Sequence, residues 1–208
     1  LIGGMILFCY YTYKVSFFDY DFFLFSFLIL LLGIFSDNNI LQSPRLRLIL
    51  QTLVLLFFMY LSDLQVSDLR SEFFNNFISN YYIGLFFTTF CLLTLINGSN
   101  FIDGLDGLNL GYFFLIITII FYLNNSQLIK ANEQQIISIF HVVSFLLILN
   151  IFNYLYLGDS GSYLIGFIFG IFLIDLSNNN YSLSPYFVTL LLWYPAFENL
   201  FSIIRKRI

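Results

Sequence analysis

The chain has 208 residues, of which 60% are hydrophobic, 22% aromatic and only 10% charged, and its mean hydropathy is +0.88. A soluble domain carries about 25% charged residues to keep its surface wet, so this composition excludes a water-soluble globule. A net charge of −4 offers nothing to a nucleic acid.

Runs approaching the roughly 20 apolar residues that cross a bilayer divide the chain into a partial span near 1–13 and further spans near 20–35, 46–61, 81–96, 108–123, 135–152, 162–176 and 185–203. The reading is all-α: a polytopic transmembrane helical bundle of about eight spans, forming one domain over 1–208. The start at Leu1-Ile2-Gly3-Gly4 and the stop at Arg205-Lys206-Arg207-Ile208 suggest a piece of a longer protein, cut at both ends. The Phe (29) and Tyr (15) content suits lipid-facing surfaces and interfacial belts. Cys9 and Cys91 lie in apolar runs, too far apart for a metal pair, and read as packing residues.

The connections between spans are short and polar, at 14–19, 36–45, 62–80, 97–107, 124–134, 153–162 and 177–184. Alternate connections share a side. One side carries Arg45, Arg47, Arg205, Lys206 and Arg207, and the other Lys14, Arg70 and Lys130, so the positive-inside rule makes the first cytoplasmic. Every Gly/Asp/Asn cluster falls on that side.

Three segments there carry chemistry. In Asn97-Gly98-Ser99-Asn100-Phe101-Ile102-Asp103-Gly104-Leu105-Asp106-Gly107-Leu108, acid or amide groups recur every third residue. That spacing puts Asn97, Asn100, Asp103 and Asp106 on one broad helical face, while Gly104 and Gly107 disfavour regular helix and admit a bulky ligand. The bland alternative is a solvated turn. In Gly158-Asp159-Ser160-Gly161-Ser162, a carboxylate among small residues leaves room for phosphate and Mg²⁺; the alternative is a helix cap. In Ser36-Asp37, followed by Pro44, Arg45 and Arg47, an acid ends one span and arginines open the next; the alternative is a cap with topology-setting charges. Asp37, Asp103, Asp106 and Asp159 converging on one cavity would repel one another unless a cation joined them.

These segments, in this order, resemble the polyprenyl-phosphate N-acetylhexosamine-1-phosphate transferases, glycosyltransferase family 4, over nearly the whole chain. The resemblance implies transfer of a HexNAc-1-phosphate from a UDP-sugar to polyprenyl (undecaprenyl) phosphate with release of UMP. It implies Mg²⁺, with Mn²⁺ as the alternative, and a multi-pass enzyme of the bacterial cytoplasmic membrane whose site faces the cytoplasm. There it would perform the first membrane step of a cell-envelope glycan pathway, such as lipopolysaccharide synthesis; whether it forms a homodimer stays open. By the same resemblance Asp159 and Asp103 hold metal, and Asp103 and Asp106 act catalytically beside metal and nucleotide. Asp37 activates the lipid phosphate. Asn97, Asn100, Gly104, Leu105, Gly107 and Asn150 bind substrate. Gly3-Gly4 matches a glycine pair that ends the family's first cytoplasmic loop. Ser36 stands where the family has an acid, and the family's His-rich loop would follow Ile208. His141, the single histidine, reads as packed or facing the bundle, and Glu198 as a functional acid or an arginine's partner. A transporter with a cytoplasmic cation site and a CDP-alcohol phosphotransferase are the competing readings.

Overall fold

The computed structural model describes residues 3–5, 8 and 20–205. The expected span near 1–13 therefore falls outside the described residues apart from four positions, as do Cys9, Lys14, Lys206 and Arg207. Among the described residues all regular structure is helical: α1 (Tyr20–Asp37), α2 (Pro44–Ser62), α3 (Glu72–Ile78), α4 (Tyr81–Ile102), α5 (Leu108–Asn125), α6 (Glu133–Ile151), α7 (Gly158–Asn179), α8 (Pro185–Leu191) and α9 (Trp193–Arg205). Six of these, α1, α2, α4, α5, α6 and α7, are long and apolar enough to cross a membrane. The protein is a multi-pass membrane protein.

Short polar residues set the helix ends. Pro44 opens α2 after Ser43, where its missing N–H costs nothing. Asn80 and Asn132 cap α4 and α6 by accepting from backbone N–H groups one turn in. The C-termini of α1, α5 and α6 close alike. Asn39, Gln127 and Asn153 take positive φ, and the next residue bonds back to the carbonyl of Phe35, Leu123 or Leu149. This Schellman closure satisfies carbonyls that have no helical partner.

The helix α7 is the axis of the bundle, buried on nearly every side and wrapped chiefly by α1 and α4. Phe167 and Phe169 lie fully buried on it. Small residues permit the close approach: a Cβ added at Gly33 of α1 would lie 2.2 Å from Ser160 Cα, and one at Gly166 would lie 2.9 Å from Ile96 Cα. The outward faces are apolar as well. Phe27, Phe57, Phe86, Phe90 and Leu115 are exposed, an apolar surface suited to lipid and not to water.

The expected span at 185–203 is broken. Pro195 cannot donate a hydrogen bond to the Leu191 carbonyl four residues back; the Tyr112 hydroxyl donates to that carbonyl instead, at 2.6 Å. The chain stops being one helix at Leu192 and resumes as α9. There Pro195 packs on Gly98 and Asn199 Nδ2 reaches the Thr94 carbonyl at 3.5 Å. Sequence rises on α9 as it falls on α4, so α9 runs back along α4. Glu198 pairs with Arg205 at 3.9 Å, the second of the two roles its sequence position left open. His141, expected to be packed or to face the bundle, is exposed on α6, with its ring edge-on to Phe140.

Candidate active site

The C-terminal ends of α1, α4 and α6 and the N-terminal ends of α2, α5 and α7 meet at one end of the bundle, and Asp37, Asp103 and Asp159 come together there. Asp37 closes α1 and turns its carboxylate onto the start of α7, accepting from the Asp159 N–H at 2.8 Å and the Ser160 N–H at 3.2 Å. A helix N-terminus attracts negative charge through its dipole and unpaired N–H groups. The cap of α7 is thus supplied from a helix more than a hundred residues away. Gly158 has φ +67, and a Cβ there would lie 3.0 Å from Asp37 Oδ2, so a side chain would crowd the carboxylate as well as strain the backbone.

Asp159 points the other way. Its Oδ2 accepts from Arg47 Nη1 at 2.9 Å and from the Ser36 hydroxyl. Ser36 Oγ in turn accepts from the same arginine nitrogen. The Tyr163 hydroxyl stands 3.5 Å from Oδ2. Arg47 was legible in the sequence only as a positive charge, because its partner lies 112 positions along the chain.

Asp103 caps the end of α4. The side chains of Ser162 and Asn109 hydrogen-bond to its carboxyl, yet burial, together with the negative charges of Asp159 and Asp37, raises it to about 6. Beneath it lies a polar seam. Asn109 Nδ2 donates to Ser162 Oγ at 3.3 Å, and Ser99 Oγ donates to the Ser162 carbonyl at 2.8 Å. All three residues are buried. Read from the sequence, Ser99 and Ser162 fall in polar connections and Asn109 stands unremarked at the start of a span, whereas the three form an internal network.

The run 97–108 is not all loop. The α4 helix continues through Ile102, so Asn97 and Asn100 are helical and only 103–107 turns away. Asn97 Nδ2 donates to Gln51 Oε1 at 3.0 Å and to the Leu93 carbonyl at 2.9 Å, which ties α4 to α2. Leu105 and Asp106 are exposed, and a Cβ on Gly104 would meet nothing within 4 Å, so the backbone there is open to a ligand. Gly107 adopts φ +78 and donates its N–H to Asn150 Oδ1 at 2.5 Å. Asn150 Nδ2 donates to the Leu155 carbonyl at 2.8 Å. This buried amide therefore fastens the 103–107 turn to the 152–157 turn. Gly3 and Gly4 lie against the same region, with Leu155, Tyr156 and Gly161 at their α-carbons.

Among the described residues no three His, Cys, Asp or Glu side chains form a ready metal cage. Mg²⁺ bound with phosphate substrates needs only one or two carboxylates, the rest of its shell being phosphate and water. Asp103 fits that demand. Its carboxyl is held above the usual range by burial and by neighbouring negative charge, a situation a cation relieves. Asp159 offers a second carboxylate, engaged by Arg47 in this structure.

A family model described as glycosyl transferase family 4 matches residues 21–177. That stretch runs from the first turn of α1 to the last turns of α7 and contains Asp37, Arg47, Asp103, Asn150 and Asp159. No curated protein matches the chain.

Proposed function

The chain belongs to glycosyl transferase family 4, and from that membership we propose that it transfers a HexNAc-1-phosphate from a UDP-sugar to polyprenyl phosphate, releasing UMP. The observation that carries this reading is the gathering of Asp37, Asp103 and Asp159 from three separate segments, with Arg47, at one end of a lipid-facing bundle. A charged headgroup held at the membrane surface meets a water-soluble nucleotide at such a place. In the reaction a phosphate oxygen of the lipid attacks the sugar-linked phosphorus. The bond from that phosphorus to the oxygen bridging to UMP breaks, and the electron pair leaves with UMP.

Asp103 and Asp159 would hold Mg²⁺ or Mn²⁺, which when bound neutralises pyrophosphate charge. The work left to the protein is alignment and electrostatics, as phosphoryl transfer asks little covalent chemistry of its enzyme. The open backbone at 103–107, with Asp106, Gly104 and Leu105, takes the nucleotide. Asn150 and Gly107 fix that turn, and Asn97 and Asn100 fix the helix beneath it. Asp37 keeps α7 in register with α1 through its two N–H bonds, in contact with the region where the lipid phosphate would enter. The site faces the cytoplasm of a bacterium, and the product enters an envelope glycan pathway.

Vesicles containing the chain and polyprenyl phosphate, given labelled UDP-GlcNAc or UDP-GalNAc, should release UMP and move label into the lipid extract. Asp103→Asn should reduce the rate by more than about tenfold, a barrier change above about 1.4 kcal/mol. Absence of UMP with every UDP-HexNAc tried would overturn the proposal.

A further inference from the structure

Asp159 already has a cation. Arg47 Nη1 sits 2.9 Å from its Oδ2, and the two side chains are each 27% exposed. The pair is sheltered enough to be held and open enough to be reached. Arg47 is not placed there by chance rotation of a surface arginine. One turn further along α2, Gln51 is fully buried and bonded to Asn97 of α4, which fixes the face of α2 that Arg47 shares. Ser36 bridges the pair, bonding to both partners. Because Ser36 is neutral, it leaves Asp159 as the carboxylate that takes the guanidinium.

An oxygen engaged by a guanidinium is a poor ligand for a divalent cation, since two positive charges at one carboxylate repel. A guanidinium and a phosphate, by contrast, match in geometry as well as a guanidinium and a carboxylate do. We infer that Arg47 is the resident counter-cation of Asp159, displaced when a divalent cation binds there, and that the released guanidinium then takes a phosphate oxygen of the nucleotide donor. The exchange at Asp159 rests on the ion-pair geometry; the phosphate half rests on the proposed transferase reading. Cation and donor are then linked, each favouring the arrangement the other needs, so each tightens the other. Arg47 becomes a substrate-binding residue whose availability depends on the metal.

Binding of Mn²⁺ to the full chain in detergent, followed by electron paramagnetic resonance without nucleotide, tests the exchange. Arg47→Gln should bind Mn²⁺ about tenfold more tightly than the unaltered chain. Arg45→Gln removes the same charge from an exposed neighbour and should change affinity by less than about twofold. With Mn²⁺ present, calorimetry should show UDP-GlcNAc binding to Arg47→Gln weakened about tenfold, and the difference should vanish when Mn²⁺ is removed. Should Arg47→Gln fail to fold, Arg47→Lys retains the charge and loses the fork. Its Mn²⁺ affinity should stay within about threefold of the unaltered chain while donor binding weakens. Equal Mn²⁺ affinity in Arg47→Gln and the unaltered chain, or equal tightening by Arg45→Gln, overturns the exchange. A donor defect that persists without Mn²⁺ overturns the metal-dependence of Arg47. UMP release with unchanged Mn²⁺ affinity overturns the exchange alone, whereas tightened Mn²⁺ binding without UMP from any UDP-HexNAc overturns the transferase reading alone.

Discussion

Asp103 is held uncharged more readily than a surface carboxylate, and that has a measurable sign. Burial first, then the charges of Asp159 and Asp37, raise it to about 6, against a usual value near 3.9. Between those values the folded chain binds more protons than the unfolded chain. This group therefore favours the fold below about pH 4, and its contribution is lost as pH rises through about 6. Melting of the metal-free protein in detergent should fall between pH 4.5 and pH 7, and Asp103→Asn should flatten that dependence. Parallel profiles for the two proteins would exclude Asp103 as its source. The acids themselves were legible in the sequence, because Asp and Gly punctuating apolar runs have few structural uses. Their partners were not. Asp37 reads as one of four acids converging on a cavity, and its hold on the first N–H groups of α7 is seen only in the fold. Nor was the structural use of Asn150 legible, whose amide holds two turns at once.

At the scale of elements, spans were readable from apolar length and their ends were not. The sequence counts 97–102 as a polar connection, yet Ser99 is fully buried there and bonded to α7. Polarity satisfied inside the bundle looks, in one dimension, the same as polarity facing water. The break at Leu192 was missed for a related reason: Pro195 sits in an apolar run, and the hydroxyl that compensates its lost bond belongs to α5. Tyr112→Phe leaves the Leu191 carbonyl without that donor and should cost about 1 kcal/mol, read from denaturation in mixed micelles. Gly33→Ala should cost more, about 1–3 kcal/mol, since its Cβ would press on the backbone of α7 at Ser160. Gly104→Ala has open space beside it and should change stability by less than about 0.5 kcal/mol. Equal losses at Gly33 and Gly104 would count against the tight α1–α7 contact.

For the whole molecule, the alternation of helix ends fixes which connections share a side. In a chain freed of its native cysteines, single cysteines at the exposed positions Ile40, Leu105 and Tyr154 should react with a membrane-impermeant thiol reagent from one side of sealed vesicles. Cysteines at Phe73, Leu128 and Tyr181, also exposed, should react only from the other. Mixed labelling within either set would break the bundle's threading. The same geometry bears on how the sequence is free to drift. Helices that meet lipid can exchange one apolar residue for another at little cost, because lipid tails accept any shape. The α7 helix meets protein on nearly every side, so each of its residues has a fixed neighbour and little room. Over long divergence the slowest-changing stretch would then extend well beyond the acids, down the full length of a helix that does no chemistry past its first turn, and depth from lipid would set its pace.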